Sequence, residues 1–235
     1  FDRAHDFLTT VRCHLHYMTG RPEERLTFDV QPALARLMGY NDRPGISGVE
    51  RFMKHYYLVA KDVGDLTRIF CAALEAEHKR KPRFRFTLLP RKREIEGFQV
   101  QDGRLTVARE DAFRADPVNF LRLFHTAQEH DLDIHPAALR LITQQLGLID
   151  NSLREDPEAN RLFLEMLTSK KDPQVTLTRL NEAGVFGRFV PDFGRVVALM
   201  QHDMYHVYTV DEHTIRAIGL LHEIETGQRT DEHPL

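Results

Sequence analysis

The amino-acid sequence predicts an all-α fold: a multi-helical domain that carries one small β-hairpin. Along most of the 235 residues, apolar side chains recur at spacings of three and four, the period of a helix that buries one face. Proline and glycine stand where such helices would begin and end. Only the stretch around Asp102–Gly103 alternates apolar and polar residues as a strand does.

Three helices are predicted before residue 79. The first ends at Gly20, and the second covers Asp29–Met38, with Pro32 in its first turn and Gly39 after it. The third is the longest, and its stripe is expected to be core rather than a cofactor surface. The stripes of the first and third helices are Phe7, Val11, Leu15 and Met18, and Val49, Phe52, Met53, Tyr56, Tyr57, Ala60, Val63 and Leu66.

The predicted strands lie in residues 97–107, on either side of Asp102–Gly103. This dipeptide favours a two-residue turn of type I′, because both of its residues tolerate positive φ. An isolated hairpin is only marginally stable in water, so we expect it to pack against helices.

Four further helices are predicted between the hairpin and residue 185. The first follows Asp116–Pro117, an N-cap and a proline at the first helical position, and the third covers Asn160–Thr168. The fourth begins at Asp172–Pro173 and ends at Gly184. The stripes of the first two are Phe120, Leu121, Phe124 and Ala127, and Leu139, Ile142, Leu146 and Ile149.

Composition limits the class of protein. No apolar run approaches the roughly 20 residues that span a bilayer, so no membrane is expected as a partner. The net charge of −3 argues against nucleic acid as a partner. Cys13 and Cys71 are too few for a disulfide framework, which favours the cytoplasm. Because the sequence starts at Phe1 rather than Met, we expect it to be part of a longer chain.

A basic run separates the third helix from the hairpin. It contains eight basic residues and no acid: Lys79, Arg80, Lys81, Arg83, Arg85, Arg91, Lys92 and Arg93. Such a run is most often a solvated linker, and its alternative role is contact with a phosphate or an acidic surface. A non-enzymatic helical module that binds an acidic partner through this run is therefore one interpretation of the chain.

No complete active site is visible in the sequence. Asp131 and Asp133 have the alternate spacing with which nucleotidyltransferases bind two magnesium ions. That motif also needs a Gly-Ser turn upstream, and residues 117–123 contain no glycine. We therefore expect a turn between two helices, with Asp133 as a cap. The sequence also lacks a P-loop, a serine-nucleophile motif and His-Glu-x-x-His.

Potential metal ligands are concentrated near the C-terminal end. Thr209 and Glu212 form a capping box, which predicts that a helix begins near Val210 with His213 in its first turn. Imidazole and carboxylate groups suit zinc, iron or manganese, although most helical histidines are structural. The neighbouring candidates are His202, Asp203, His206 and Asp211.

Residues 7–40, 49–70 and 177–214 resemble, in the expected order, the bifunctional uridylyltransferase/uridylyl-removing enzymes that act on the PII nitrogen-signalling protein. Residues 205–218, YHVYTVDEHTIRAI, resemble the opening helix of the HD phosphohydrolase domain of that family. The resemblance implies that His213 is one ligand of a divalent metal. Leu221-His222-Glu223-Ile224 imitates a later His-Asp ligand pair but lies too close to His213.

The resemblance also implies a division of the chain into four regions. Residues 1–78 would be a helical linker domain after a nucleotidyltransferase domain, 79–110 a basic loop and hairpin, 111–200 a helical domain, and 201–235 the start of a truncated HD domain. The parent enzyme would use UTP and Mg²⁺ to uridylylate PII and would remove the UMP by hydrolysis, with glutamine as effector. The fragment alone is expected to be inactive.

Residues 116–142 are also similar to the helical neck of tRNA-nucleotidyltransferases, in which Arg and Asp side chains reach the nucleotide. A fragment of that enzyme, or of the related glutamine-synthetase adenylyltransferase, is the second enzymatic interpretation. By this analogy a UTP pocket could be bordered by any of Arg12, Arg25, Asp29, Gln31 or Arg122, and the sequence does not choose among them.

Overall fold

The computed structural model describes residues 2–78, 93–200, 202 and 208–229. Its elements are α1 (Asp2–Thr19), α2 (Gln31–Leu37), α3 (Gly48–His78), β1 (Arg93–Ile95), β2 (Phe98–Gln101), β3 (Arg104–Thr106), α4 (Ala112–Ala115), α5 (Asn119–Glu129), β4 (Asp133–Ile134), α6 (Pro136–Gln145), the 3-10 helix η1 (Leu146–Leu148), α7 (Asn151–Glu155), α8 (Pro157–Leu167), α9 (Pro173–Glu182), α10 (Val185–Phe189), α11 (Pro191–Val196) and α12 (Val210–Glu225). The predicted class, a helical protein with a small β element, is confirmed.

The chain forms two compact units. Unit 1 comprises residues 1–66 and 195–213, and unit 2 comprises residues 67–194 and 214–235. Most of the predicted basic run, residues 79–92, lies outside the described residues, and Arg93 is the first residue of β1.

The core of unit 1 uses only part of the predicted apolar stripes, because Met18 of the first helix and Leu66 of the third are exposed. α1 ends at Gly20, which has a φ of +65° and donates its N–H to the carbonyl of His16 at 2.9 Å. The buried core consists of Val11, Leu34, Ala35, Val49, Phe52, Met53 and Met200. Burying one large apolar side chain contributes about 1.5–3 kcal/mol, so this cluster provides much of the stability of unit 1.

α3 begins with a capping box that the sequence analysis overlooked. The Ser47 hydroxyl accepts the N–H of Glu50 at 3.2 Å, and the Glu50 carboxylate accepts the N–H and the hydroxyl of Ser47 at 2.9 and 2.8 Å. This reciprocal pair satisfies helix N–H groups that would otherwise lack a partner. The start of the longest helix is therefore fixed by local sequence.

Unit 2 contains a four-stranded sheet in the order β1-β2-β3-β4. The predicted turn at Asp102–Gly103 is confirmed, and both residues have positive φ. The sheet is larger than the predicted hairpin, because a second turn of the same kind at Glu96–Gly97 adds β1 and because β4 pairs with β3 in parallel. β3 carries the fully buried Leu105, which anchors the sheet in the core of unit 2.

The expected role of Asp133 is wrong. Asp133 lies in β4, where it pairs with Arg104, rather than in a turn that caps a helix. The N-cap of α6 is His135, whose Nδ1 accepts the N–H of Ala137 at 3.2 Å. The Asp133 carboxylate instead pairs with Arg179 of α9 at 2.5 Å, a partner distant in sequence.

The helices of unit 2 pack around α5, from which Phe120, Leu121, Leu123 and Phe124 are almost fully buried. The predicted helix start at Asp172 is confirmed, since its side chain accepts the N–H of Val175 at 3.2 Å. Gly184 ends α9 in the left-handed conformation, with a φ of +76°, as the sequence predicted. α5 begins at Asn119, slightly later than expected after Asp116–Pro117.

Candidate functional site

α12 presents His213 on its exposed side. The helix begins at Val210 as predicted, and the N–H of His213 bonds to the carbonyl of Thr209 at 2.9 Å. Asp211, Ile215 and Gly219 recur at intervals of four residues and are buried. Two residues of a helix rotate the side-chain direction by about 200°. His213 therefore points away from the face that contains Asp211, and its side chain is exposed.

Two hydrogen bonds attach the first turn of α12 to the segment that follows α11. The carboxylate of Asp211 accepts the N–H of Ala198 at 3.1 Å. The N–H of Val210 donates to the carbonyl of Leu199 at 2.8 Å. Asp211 is only 4% exposed, which is unusual for a carboxylate and indicates a specific role.

His202 is half-buried in unit 1 and packs against Phe28. Its ring stacks on Phe28, with 4.0 Å between the ring centroids. Burial opposes ionisation of Glu50, but hydrogen bonds from Ser47 and from the backbone N–H of His202 lower the pKa of the Glu50 carboxyl. His202 thus links the segment before α12 to the first turn of α3.

The candidate metal ligands form a complete site nowhere in the described part of the chain. Within residues 2–78, 93–200, 202 and 208–229, no three His, Cys, Asp or Glu side chains are close enough to bind one ion. Asp203 and His206 lie outside the described residues. His213 offers one exposed imidazole, so a metal held by His213 would need its other ligands from outside the described residues.

Four of the five candidates for a nucleotide pocket lie in unit 1 and are ordinary surface or structural groups. Arg12 pairs with Glu24 at 2.7 Å, and Arg25 lies 3.4 Å from Glu23. Asp29 is exposed. Gln31 is buried and donates to the carbonyl of Leu26 at 3.2 Å, which fixes the start of α2.

The fifth candidate, Arg122, is the centre of an ion-pair network in unit 2. Its guanidinium contacts Asp116 at 2.9 Å and Glu158 at 2.8 Å, and it also bonds to the side chain of Asn119. Burial opposes the charge, but the hydrogen bonds to Glu158 and Asp116 raise the pKa of Arg122. These partners occupy the fork of the guanidinium, so Arg122 connects α5 to α8.

An open cleft of about 690 Å³ on unit 2 contains a group of titratable residues that the sequence analysis missed. His125 lies 3.2 Å from Glu165, and His130 lies 3.4 Å from Glu96. Glu96 also accepts the hydroxyl hydrogen of the buried Thr126 at 2.8 Å. Gly97, a residue type that favours turns, was a local feature of the sequence close to this region.

Two family models match the chain. The model described as GlnD PII-uridylyltransferase matches residues 1–71, and the model described as uridylyltransferase GlnD third domain matches residues 98–189. The bifunctional uridylyltransferase/uridylyl-removing enzyme of Azospirillum brasilense is 63% identical over the whole of this chain, and that of Rhodospirillum rubrum is 61% identical over the same extent. The chain belongs to the GlnD uridylyltransferase family.

Membership in the GlnD family favours a fragment of a uridylyltransferase/uridylyl-removing enzyme. It does not favour a fragment of a tRNA-type nucleotidyltransferase or an adenylyltransferase, or a non-enzymatic module. The chain spans about a quarter of the length of these GlnD relatives, 26% and 25%. No solved structure matches the chain. Among the described residues, no helix is both long and apolar enough to cross a membrane.

Proposed function

We propose that this chain is the middle part of a GlnD enzyme that transfers UMP from UTP to the PII signal protein and removes it again by hydrolysis. The observation that carries the proposal is the position of His213, exposed in a fixed first turn of α12, within a chain that is 61–63% identical to relatives named for both activities. The segment from unit 1 into α12 would belong to the uridylyl-removing half of the protein.

In this proposal His213 is a neutral imidazole ligand of a divalent metal in the removal site, and other parts of the parent protein supply the remaining ligands. The face of α12 that carries His213 supports this role. Ala217, Leu220 and Leu221 are exposed on the same side, and Leu221 is 66% exposed. An apolar surface of this kind suits packing against further protein.

The transfer reaction would use Mg²⁺ and UTP at the nucleotidyltransferase domain of the parent protein, with PII as the acceptor and glutamine as effector. We keep the division into 1–78, 79–110, 111–200 and 201–235 as part of this proposal. The cytoplasm is the proposed compartment, because the two cysteines are unpaired and exposed.

The test is His213→Ala in the full-length parent protein. Uridylyl removal is expected to fall to background while uridylyl transfer stays within about twofold, since a catalytic metal that loses an imidazole ligand is bound weakly. The assay follows loss and gain of labelled UMP on PII.

His222→Ala is the matched control, because His222 lies on the same helix more than two turns from His213. It is expected to leave both activities unchanged. Retention of removal in the His213 variant, or its loss in the His222 variant, contradicts the proposed site.

A further inference from the structure

Asp211 is a buried carboxylate that the proposed chemistry does not use. It lies in the first turn of α12, where a negative charge is favoured by the helix dipole, yet its side chain points inward rather than to solvent. Burying a carboxylate costs free energy unless hydrogen bonds replace its water. The N–H of Ala198, at 3.1 Å, is one such replacement.

The backbone around Ala198 is shaped for this contact. Ala198 has a φ of +56°, a left-handed conformation that is uncommon for a residue with a Cβ. The next two residues are also fixed: the carbonyl of Leu199 accepts the N–H of Val210, and the side chain of Met200 is part of the core of unit 1. Three consecutive residues thus connect the start of α12 to the core.

A further contact holds the preceding part of this segment to α3. The Lys54 ammonium donates to the carbonyl of Arg195 at 3.0 Å, at the C-terminal end of α11. This places a cation where the helix carbonyls concentrate negative charge. The strained turn at Ala198 therefore lies between two anchored points, Arg195 and Met200.

We propose that Asp211 is a positioning residue: its bond to Ala198 fixes the first turn of α12 and thereby the place from which His213 faces outward. The inference rests on the proposed role of His213 in uridylyl removal. Asp211 and His213 are separated by about 200° around the helix, so an anchored Asp211 determines the direction of His213 without touching what His213 binds. An error of about 1 Å in placing a reacting group can reduce a rate about 100-fold.

The chemistry of the contact predicts which substitutions preserve it. Asn retains an oxygen at the position of the Asp211 carboxylate and can accept the N–H of Ala198. Ala removes the acceptor and leaves that N–H buried, because Ala198 is only 5% exposed. Comparing the two substitutions therefore shows whether the hydrogen bond to Ala198 or the negative charge of Asp211 is required.

The experiment compares Asp211→Ala, Asp211→Asn and His213→Ala in the full-length parent protein. Uridylyl removal and uridylyl transfer are measured separately, and backbone amide exchange is followed for residues 195–200 and 208–213. Glu225→Ala is the matched control, since Glu225 is an exposed acid in the last turn of the same helix.

We expect Asp211→Ala to reduce uridylyl removal about 10- to 100-fold with transfer unchanged. Amide exchange at Ala198 and Val210 should become faster in this variant alone. Asp211→Asn and Glu225→Ala should retain most of the removal activity, and their amide exchange at these two residues should stay slow. Equal losses in the Ala and Asn variants, or a parallel loss of transfer, would overturn the positioning role.

The His213→Ala variant distinguishes a failure of the proposed role of Asp211 from a failure of the proposed function. Loss of removal in His213→Ala with full removal in Asp211→Ala refutes the inference and leaves the proposed function intact. Full removal in His213→Ala refutes the proposed function itself, and the amide exchange data then still report whether Asp211 holds the turn.

Discussion

Arg122 and His213 were both candidates for function, and the structure places them in opposite situations. The side chain of Arg122 is 25% exposed and is surrounded by Asp116, Asn119 and Glu158, which use its hydrogen-bonding capacity within unit 2. His213 is exposed on a helix whose first turn is held within unit 1 by the hydrogen bonds of Asp211 and Val210. Arg122 holds α5 and α8 together. His213 is exposed on a backbone that other residues fix in place.

The difference shows how a charged or titratable residue should be judged as a site candidate. A side chain whose partners are already present in the folded chain must break those contacts to meet a ligand, and that cost reduces binding. A side chain that is exposed on an anchored backbone pays no such cost and keeps its direction. Three comparisons of stability test this distinction, from the largest expected effect to the smallest.

Arg122→Met should lower the free energy of unfolding by about 1–2 kcal/mol, because it leaves Asp116 and Glu158 without their shared cation while retaining much of the side-chain volume. Chemical denaturation of the isolated chain measures this. Arg161→Met is the control: the exposed pair of Arg161 and Glu165 should be worth less than about 0.5 kcal/mol. A different result would contradict this structural role. If Arg122→Met leaves the stability of the chain unchanged but impairs uridylyl transfer in the full-length protein, Arg122 contacts the nucleotide.

Glu96 provides a smaller, pH-dependent effect. The hydrogen bond from Thr126, followed by the interaction with His130, lowers the pKa of the Glu96 carboxyl below its ordinary value of 4.5. A carboxyl with a lowered folded-state pKa stabilises the protein above its unfolded-state pKa, and this contribution is lost as the pH falls through the folded-state value.

The melting temperature of the parent chain should therefore fall more steeply between about pH 5 and pH 3 than that of Glu96→Gln. Glu94→Gln is the control, because Glu94 is an exposed acid on β1 of the same sheet. Identical acid-side slopes for Glu96→Gln and the parent would show that Glu96 contributes nothing through its charge.

His213→Ala should have the smallest effect on stability, within about 0.5 kcal/mol of the parent, because the side chain is exposed and Ala favours the helix. Thermal unfolding of the isolated chain is the measurement. A large destabilisation would mean that His213 is a structural residue, and the contrast with Arg122 would disappear.

Much of the fold follows from local sequence. The stripe from Val49 to Leu66 lies within α3, and Gly20, Asp172 and Gly184 mark helix ends as predicted. These features depend on backbone preferences and on neighbours a few residues away, which a sequence shows directly. The Ser47–Glu50 capping box had the same kind of signal, and it was missed although it was readable.

Other features depend on partners far along the chain. β4 has only two residues and pairs with β3, so neither its length nor its pattern indicates a strand. Arg122 and Glu158 are separated by 36 residues, and nothing local shows that they meet. The exposure of His213 follows from the burial of Asp211, whose partner Ala198 precedes it by 13 residues.

Unit 1 is discontinuous in sequence, and this has a consequence for how the protein is made. The 128 residues from Thr67 to Gly194 separate its two parts, yet Met200 completes the core formed by Leu34, Phe52 and Met53. At a synthesis rate of about 5–20 residues per second, the ribosome takes on the order of 10 s to deliver that missing piece. Until Met200 is synthesised, the apolar side chains of α1, α2 and the start of α3 lack this part of their cover, so unit 1 cannot complete its core before unit 2 has been synthesised.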